Sequence, residues 1–272
     1  ANVVVTPCLR QRAHLERATP LRWIMLQLQH PFVATSVAML ALDFLFCRHC
    51  RVRWFLLHAW ANVVVTVAAL PDALLAADAP HTSCVGGAST FVPLWQIITL
   101  HVYHLAFFSC SVVRRAARES ASLPPGILLL PTPTARRLSA QDDWVHHLVF
   151  VTLIGGVGLY FEGGPLVNLV AFFMCGLPGG LDYIMLALVK LGRLDPLVEK
   201  AWNSRINVWL RSPGMLLCTF CLYQGARHGP ESEATRHPLI AAATGVTIVA
   251  NAQYYMQRVT GNAYRRNKVF SS

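Results

Sequence analysis

Apolar residues along this chain gather into runs near 31–47, 53–75, 89–112, 144–160, 165–189, 213–224 and 238–257. Runs of about 17 to 25 mostly apolar residues match a hydrocarbon core of about 30 Å at about 1.5 Å of helical rise per residue. The pattern predicts an all-α fold, a polytopic transmembrane helical bundle of about seven spans. Two runs are irregular: 213–224 is short, and 31–47 contains Asp43. Either could re-enter the membrane or lengthen into its flanks, which leaves a count of about six to eight.

The connections carry charge in alternation. Arg48, Arg51 and Arg53 fill the 48–53 loop, whereas 76–88 has no Lys or Arg. Arg114, Arg115, Arg118, Arg136 and Arg137 follow in 113–143, and none in 161–164. Lys190, Arg193, Lys200, Arg205 and Arg211 lie in 190–212, read as a third basic loop, while 225–237 sets Arg227 and Arg236 against Glu231 and Glu233. Short basic loops stay on the cytoplasmic, matrix or stromal side, so the alternation fits seven spans. The basic N-terminus is the misfit, since this topology places it outside. The long 113–143 connection carries Pro124, Pro125, Pro131 and Pro133 and is expected to lie on the surface. The chain then divides into a basic N-terminal interfacial segment over 1–30, the bundle over 31–260 and a basic tail over 261–272.

Composition agrees with lipid surroundings. Hydrophobic residues make up 54% of the chain and charged ones 13%, against about 25% charged in soluble domains. The net charge of +10 comes from 20 Arg and only 3 Lys. These sit in short connections and not in one patch, which argues for topology and anionic headgroups and against nucleic acid. The sequence starts at Ala1, and its 9–30 stretch has Arg10, Arg12, Arg17 and Arg22 against the single acid Glu16. That balance predicts an organelle-imported protein, with the mitochondrial inner membrane favoured and the endoplasmic reticulum as the alternative.

Candidate chemistry is sparse. Cys47/Cys50 and Cys218/Cys221 have a spacing that places both sulfurs on one helix face, as metal ligation could use, yet the first pair stands at a membrane boundary and the second lies in an apolar run where cysteine packs as a small hydrophobe. His58, His101 and His104 lie within spans but lack the histidine boxes of a di-iron site. No metal and no cofactor is expected.

Two stretches stand out. Ser139-Ala-Gln-Asp-Asp-Trp-Val-His-His opens the fourth run, with Asp142 four residues from His146 and Asp143 four from His147. A carboxylate that holds an imidazole in one tautomer is what a general base needs; a helix cap with a headgroup-bonded His pair is the blander alternative. In the fifth run, Gly176 and Gly180 form a face for close helix approach, Pro178 should kink the helix, and Asp182 adds a polar spot at bilayer depth. That break is either a packing kink or a ligand pocket.

The order of these features resembles the TLC family of multipass membrane proteins, to which the ceramide synthases belong. The resemblance covers roughly 95–260. His146 and His147 match the family's paired histidines, and Asp182 with Lys190 falls near its second acid and its lysine. Where the family's His-Asp pair should stand, this chain reads Leu177-Pro178-Gly179-Gly180. The resemblance therefore implies a lipid-contacting, non-catalytic bundle that serves as an accessory subunit among other membrane proteins. The rival is a lipid acyltransferase with His146 or His147 as base and Asp143 or Asp182 orienting it. A small transporter is the third reading. Lipid-cavity candidates are Gly176, Pro178, Gly180, Asp182 and Lys190.

Overall fold

The structure, a computed structural model, describes residues 30–104, 106, 156–158 and 164–271. The first helix, α1 (Pro31–Leu42), is capped by His30, whose Nδ1 accepts from the Phe32 amide at 3.2 Å, and Pro31 occupies its first turn. It continues into a π turn, Asp43–Cys47. Then come α2 (Arg53–Asp78), a 3-10 turn at Pro80–Thr82, and α3 over 92–104. After the gap, α4 (Gly164–Ala171), the π turn Phe172–Gly176 and α5 (Leu177–Lys190) form one rod. A second rod joins α6 (Pro196–Ile206), the π turn Asn207–Arg211 and α7 (Ser212–His228). The short α8 (Glu233–Arg236) leads into α9 (Pro238–Ser271). Among the described residues there is helix and no strand.

Prolines place two of the π turns. A proline lacks the amide that would donate four residues back, and its ring collides with that carbonyl. For Pro178 that carbonyl belongs to Met174, and for Pro213 to Trp209; both lie inside the widened turns. The wider turn absorbs the misfit, so the helix continues past the proline.

Among the described residues two helices are long and apolar enough to cross a membrane, Arg53–Asp78 and the 27-residue rod Gly164–Lys190; Pro31–Cys47 is a shorter apolar helix. On α2 the buried side toward the C-terminal end is rich in alanine, with Ala69, Ala73 and Ala76, while Val67 and Leu74 are 68% and 63% exposed on the other side. Small residues inside with large apolar residues outside let helices approach closely where no water drives them together.

The 190–212 stretch departs from its reading as a loop. Only 191–195 connects, and helix resumes at Pro196 behind the cap Asp195. Its polar residues do not need water. Glu199, Asn203, Asn207 and Arg211 recur every four residues, so they stack on one helix face and bond to one another. Asp43 is accounted for in the same way: it receives hydrogen bonds from Arg53 and from the Tyr103 hydroxyl.

Helix directions follow from matched contacts. Gly179 and Gly176 lie against Asn62 and Thr66 of α2, so α5 runs antiparallel to it. Gln253 donates to Ser212 Oγ at 2.9 Å and Thr219 donates to the Gly245 carbonyl at 3.5 Å, so α9 runs antiparallel to α7. At the opposite level, Ser83 ties the turn to two helices: its carbonyl accepts from the Leu166 amide at 3.0 Å and its hydroxyl donates to the Cys221 carbonyl at 3.2 Å. Gly164 makes that junction possible. Its φ is +57°, and a Cβ there would lie 2.7 Å from the Ser83 carbonyl.

The six described cysteines are unbridged, and Cys50 alone among them is exposed. Cys84 sits in the turn with its thiol pushed up by burial, against a smaller opposing effect of the Ser83 hydroxyl. Thiolate is the reactive form. Peptide mapping after brief maleimide treatment at mildly alkaline pH should therefore find Cys50 labelled well before Cys84; equal rates would contradict this packing.

Candidate functional site

A cavity of about 530 Å³ opens among α2, α3, both rods and α9. Helix directions sort its lining into two ends. Cys84, Leu94, Leu166, Leu222 and Ala241 form one end, level with the Ser83 junction. The other end carries His58, His101, His104, Asp182, Tyr183, Arg211, Asn251 and Arg258. A single apolar chamber with polar groups gathered at one end is the usual form of a site for an amphiphile.

Aromatic contacts hold the imidazole side. The His58 ring stacks on Tyr183 at 4.3 Å and meets His104 edge-on at 5.5 Å, while His104 stacks on Trp54 at 5.2 Å. Nδ1 of His58 bonds the Trp54 carbonyl at 2.7 Å and Nδ1 of His101 the Ile97 carbonyl at 2.6 Å. Each is a bond to the preceding helical turn, which fixes the ring orientation.

The opposite side is set by the four-residue polar stack. Asn203 donates to Asp182 Oδ1 at 2.7 Å, and Asn207 donates to Asn203 Oδ1 at 2.7 Å. Arg211 Nη1 donates to Asn207 Oδ1 at 2.8 Å. Glu199, 1% exposed, pairs with Lys200 at 2.9 Å. The π turn ends at Arg211 and so directs the last member of the stack toward the cavity. Its Nε is buried without a hydrogen-bond partner among the described residues, and so is Oδ1 of Asn251, a side chain only 5% exposed. Buried polar atoms without partners are uncommon and call for an explanation.

A separate polar knot braces the bundle. Asp72 accepts from the Ser89 amide at 2.8 Å and from Asn168 Nδ2 at 2.6 Å, and that amide also reaches the Thr90 carbonyl at 2.8 Å.

The residues singled out from sequence are distributed unevenly. His146, His147 and Asp143, with the whole Asp142-to-His147 motif, lie outside the described residues. Asp182 lines the cavity. Gly176 and Gly180 face α2, with Gly179 between them; Pro178 is buried beside the π turn. Gly176, Pro178 and Gly180 do not line the chamber, whereas Gly179 does. Lys190 is exposed at the C-terminal end of α5 and does not line the chamber either. Two turns of helix separate it from Asp182, about 12 Å.

Arg211, Asn203, Asn207, Asn251 and the convergence of the three histidines were not singled out together from sequence. The recurrence of polar residues every four positions from Glu199 to Arg211 was the available signal. Among the described residues no three His, Cys, Asp or Glu side chains gather as metal ligands.

No protein-family model, curated protein or solved structure matches this chain.

Proposed function

We propose that this chain is a lipid-contacting membrane bundle of about seven spans, TLC-like and non-catalytic, whose internal cavity encloses a lipid tail. The observation that carries the reading is the two-ended chamber: an apolar end level with the Ser83 junction, and a polar end that presents Arg211, Asn251 and the histidines. The exposed apolar face of α2 and the length of the two long apolar helices, α2 and the Gly164–Lys190 rod, support a bilayer setting. Outside 190–212, where only 191–195 connects, the alternation of basic and uncharged connections in the sequence supports several spans. The accessory role in a larger assembly, in the mitochondrial inner membrane, rests on the Arg-rich, acid-poor N-terminal stretch and on the Leu177-Pro178-Gly179-Gly180 departure from the acyltransferase pattern.

An acyltransferase is the second reading, and it draws on the imidazoles of His58, His101 and His104 beside Asp182 and Tyr183.

Reconstitution with a lipid bearing a photoreactive group at its chain terminus tests the main reading. Cross-links are expected at Leu166, Leu222 and Ala241. Cross-links confined to outward residues such as Val67 and Leu74 would show that the tail stays outside, and steady acyl turnover in the pure protein would favour the enzyme.

A further inference from the structure

By apolar length the second rod, Pro196–His228, is not a span, because Glu199, Asn203, Asn207 and Arg211 interrupt it. Hydrogen bonds nevertheless hold it beside the first rod at two levels. At one, the Ser83 carbonyl accepts from the Leu166 amide and the Ser83 hydroxyl donates to the Cys221 carbonyl. At the other, Asn203 donates to Asp182 at 2.7 Å. From Leu166 to Asp182 the first rod covers about 24 Å, and from Asn203 to Cys221 the second covers about 27 Å, at about 1.5 Å per residue. The two rods are therefore antiparallel and occupy the same depth. Where the apolar rod Gly164–Lys190 crosses a bilayer, the second rod must cross beside it.

The outer face of the second rod suits that position. Trp202, Trp209, Leu216, Phe220 and Tyr223 are exposed, Trp209 at 79%. Together with the exposed Arg205, Pro213 and Arg227 they recur every three or four residues, which makes one stripe along the whole rod. The polar stack lies on the other side, with Asn203 and Asn207 buried. Between Arg205 and Arg227 the sequence has a single charged residue, Arg211. It is turned inward, where it donates to Asn207 and lines the cavity.

Amphipathic side chains mark the two ends of the stripe. Trp202 and Tyr223 are separated by about 31 Å of helix, against a hydrocarbon core of about 30 Å. Tryptophan and tyrosine favour the headgroup level at both faces of a bilayer. Arg205 lies one turn inside Trp202, yet its guanidinium reaches back over the Trp202 ring, 5.3 Å from the centroid. Helical side chains lean toward the N-terminus, so this direction carries the charge out toward the headgroups. Arg227 lies one turn beyond Tyr223 at the other end. A face turned to water would carry charges along its length, and a protein partner would not require its aromatic and cationic ends to stand one hydrocarbon thickness apart.

We propose that the second rod spans the bilayer with this stripe against lipid, Trp202 at one headgroup layer and Tyr223 at the other, and with the Glu199-to-Arg211 stack facing the interior of the bundle. This rests on the chain being a membrane bundle. The short apolar run 213–224 is then the lower part of a span over 202–223. Arg211, at the polar end of the cavity, lies about 14 Å below Trp202 and so within the bilayer.

Full-length protein in phosphatidylcholine vesicles tests the depth, with a nitroxide coupled to a ketone-bearing residue placed singly at Val67, Trp202, Trp209, Leu216 or Arg227. Coupling through the ketone leaves the cysteines untouched. Oxygen concentrates in hydrocarbon and a nickel chelate in water, so the ratio of their collision rates with the label reads its depth. The ratio should be high at Val67, Trp209 and Leu216 and several times lower at Trp202 and Arg227. A ratio at Trp209 and Leu216 as low as that at Arg227, with Val67 high, would put the stripe in water and overturn the span while leaving the membrane bundle standing. Labels at Trp209 and Leu216 that neither reagent reaches would put protein on the stripe and overturn the lipid contact. A low ratio at Val67 as well would overturn the bilayer setting itself. The unlabelled protein supplies a second measurement should a labelled variant fail to fold. Phosphatidylcholine with a diazirine in mid-chain should mark Leu216 and Phe220 on illumination, and adducts at Val67 without any at Leu216 or Phe220 would again overturn the proposal.

Discussion

Replacing Arg53 by Leu should destabilise the fold by about 3 kcal/mol, because it strands the buried Asp43 carboxylate without its ion-pair partner. Asp43 lies at the end of the apolar helix that begins at Pro31, and Arg53 opens α2. Arg53 bonds both carboxylate oxygens and also reaches the Tyr103 hydroxyl at 3.2 Å, so one side chain joins α1, α2 and α3. The penalty comes from desolvation of the remaining charge and not from the worth of the pair. Replacing both Asp43 and Arg53 by Leu should therefore restore most of the lost stability, as buried pairs exchanged for apolar residues often do. Denaturation in detergent, followed by circular dichroism in the two single variants and the double variant, provides the check. A double variant as unstable as the sum of the singles would mean that the helices are held by something other than this pair.

Gly214→Val should cost about 3 kcal/mol, near the upper end for overpacking. A Cβ at this position would lie 2.1 Å from Cδ1 and 2.3 Å from Cγ of Phe173. The clash is with the base of the ring and not with a flexible tip, so a rotamer change cannot clear it. Phe173 belongs to the π turn Phe172–Gly176, and Gly214 follows the π turn that ends at Arg211. Pushing the two rods apart here should also shift Arg211 and weaken lipid binding in the cavity. Thermal unfolding of the variant reads the first effect and a lipid titration the second; a variant of native stability would refute the close approach of the rods.

Much of the architecture was legible as pattern. The runs over 53–75 and 165–189 correspond to the two long apolar helices, because a span must satisfy every backbone group within itself and so shows up as sustained apolar length. The Gly176-to-Gly180 stretch advertised close approach, and the structure sets it against Asn62 of α2. The 190–212 stretch was misread because polar residues in sequence look the same whether they face water or one another. Asn203, Asn207 and Arg211 are buried polar partners and not a solvated loop.

The candidate site was less legible. Asp182 was visible as an isolated acid within an apolar run, and the structure places it in the cavity wall with Asn203 as its donor. Lys190, chosen for its nearness in sequence, ends up outside, since helical rise carries it beyond the chamber. Sequence alone determined that this chain is helical and largely apolar, because hydrophobic run length and proline position act locally along the chain. Only the tertiary structure decided that His58, His101, Asp182, Arg211 and Asn251 share one cavity. They come from α2, α3, both rods and α9, and their meeting depends on helix direction and depth, which no local pattern encodes.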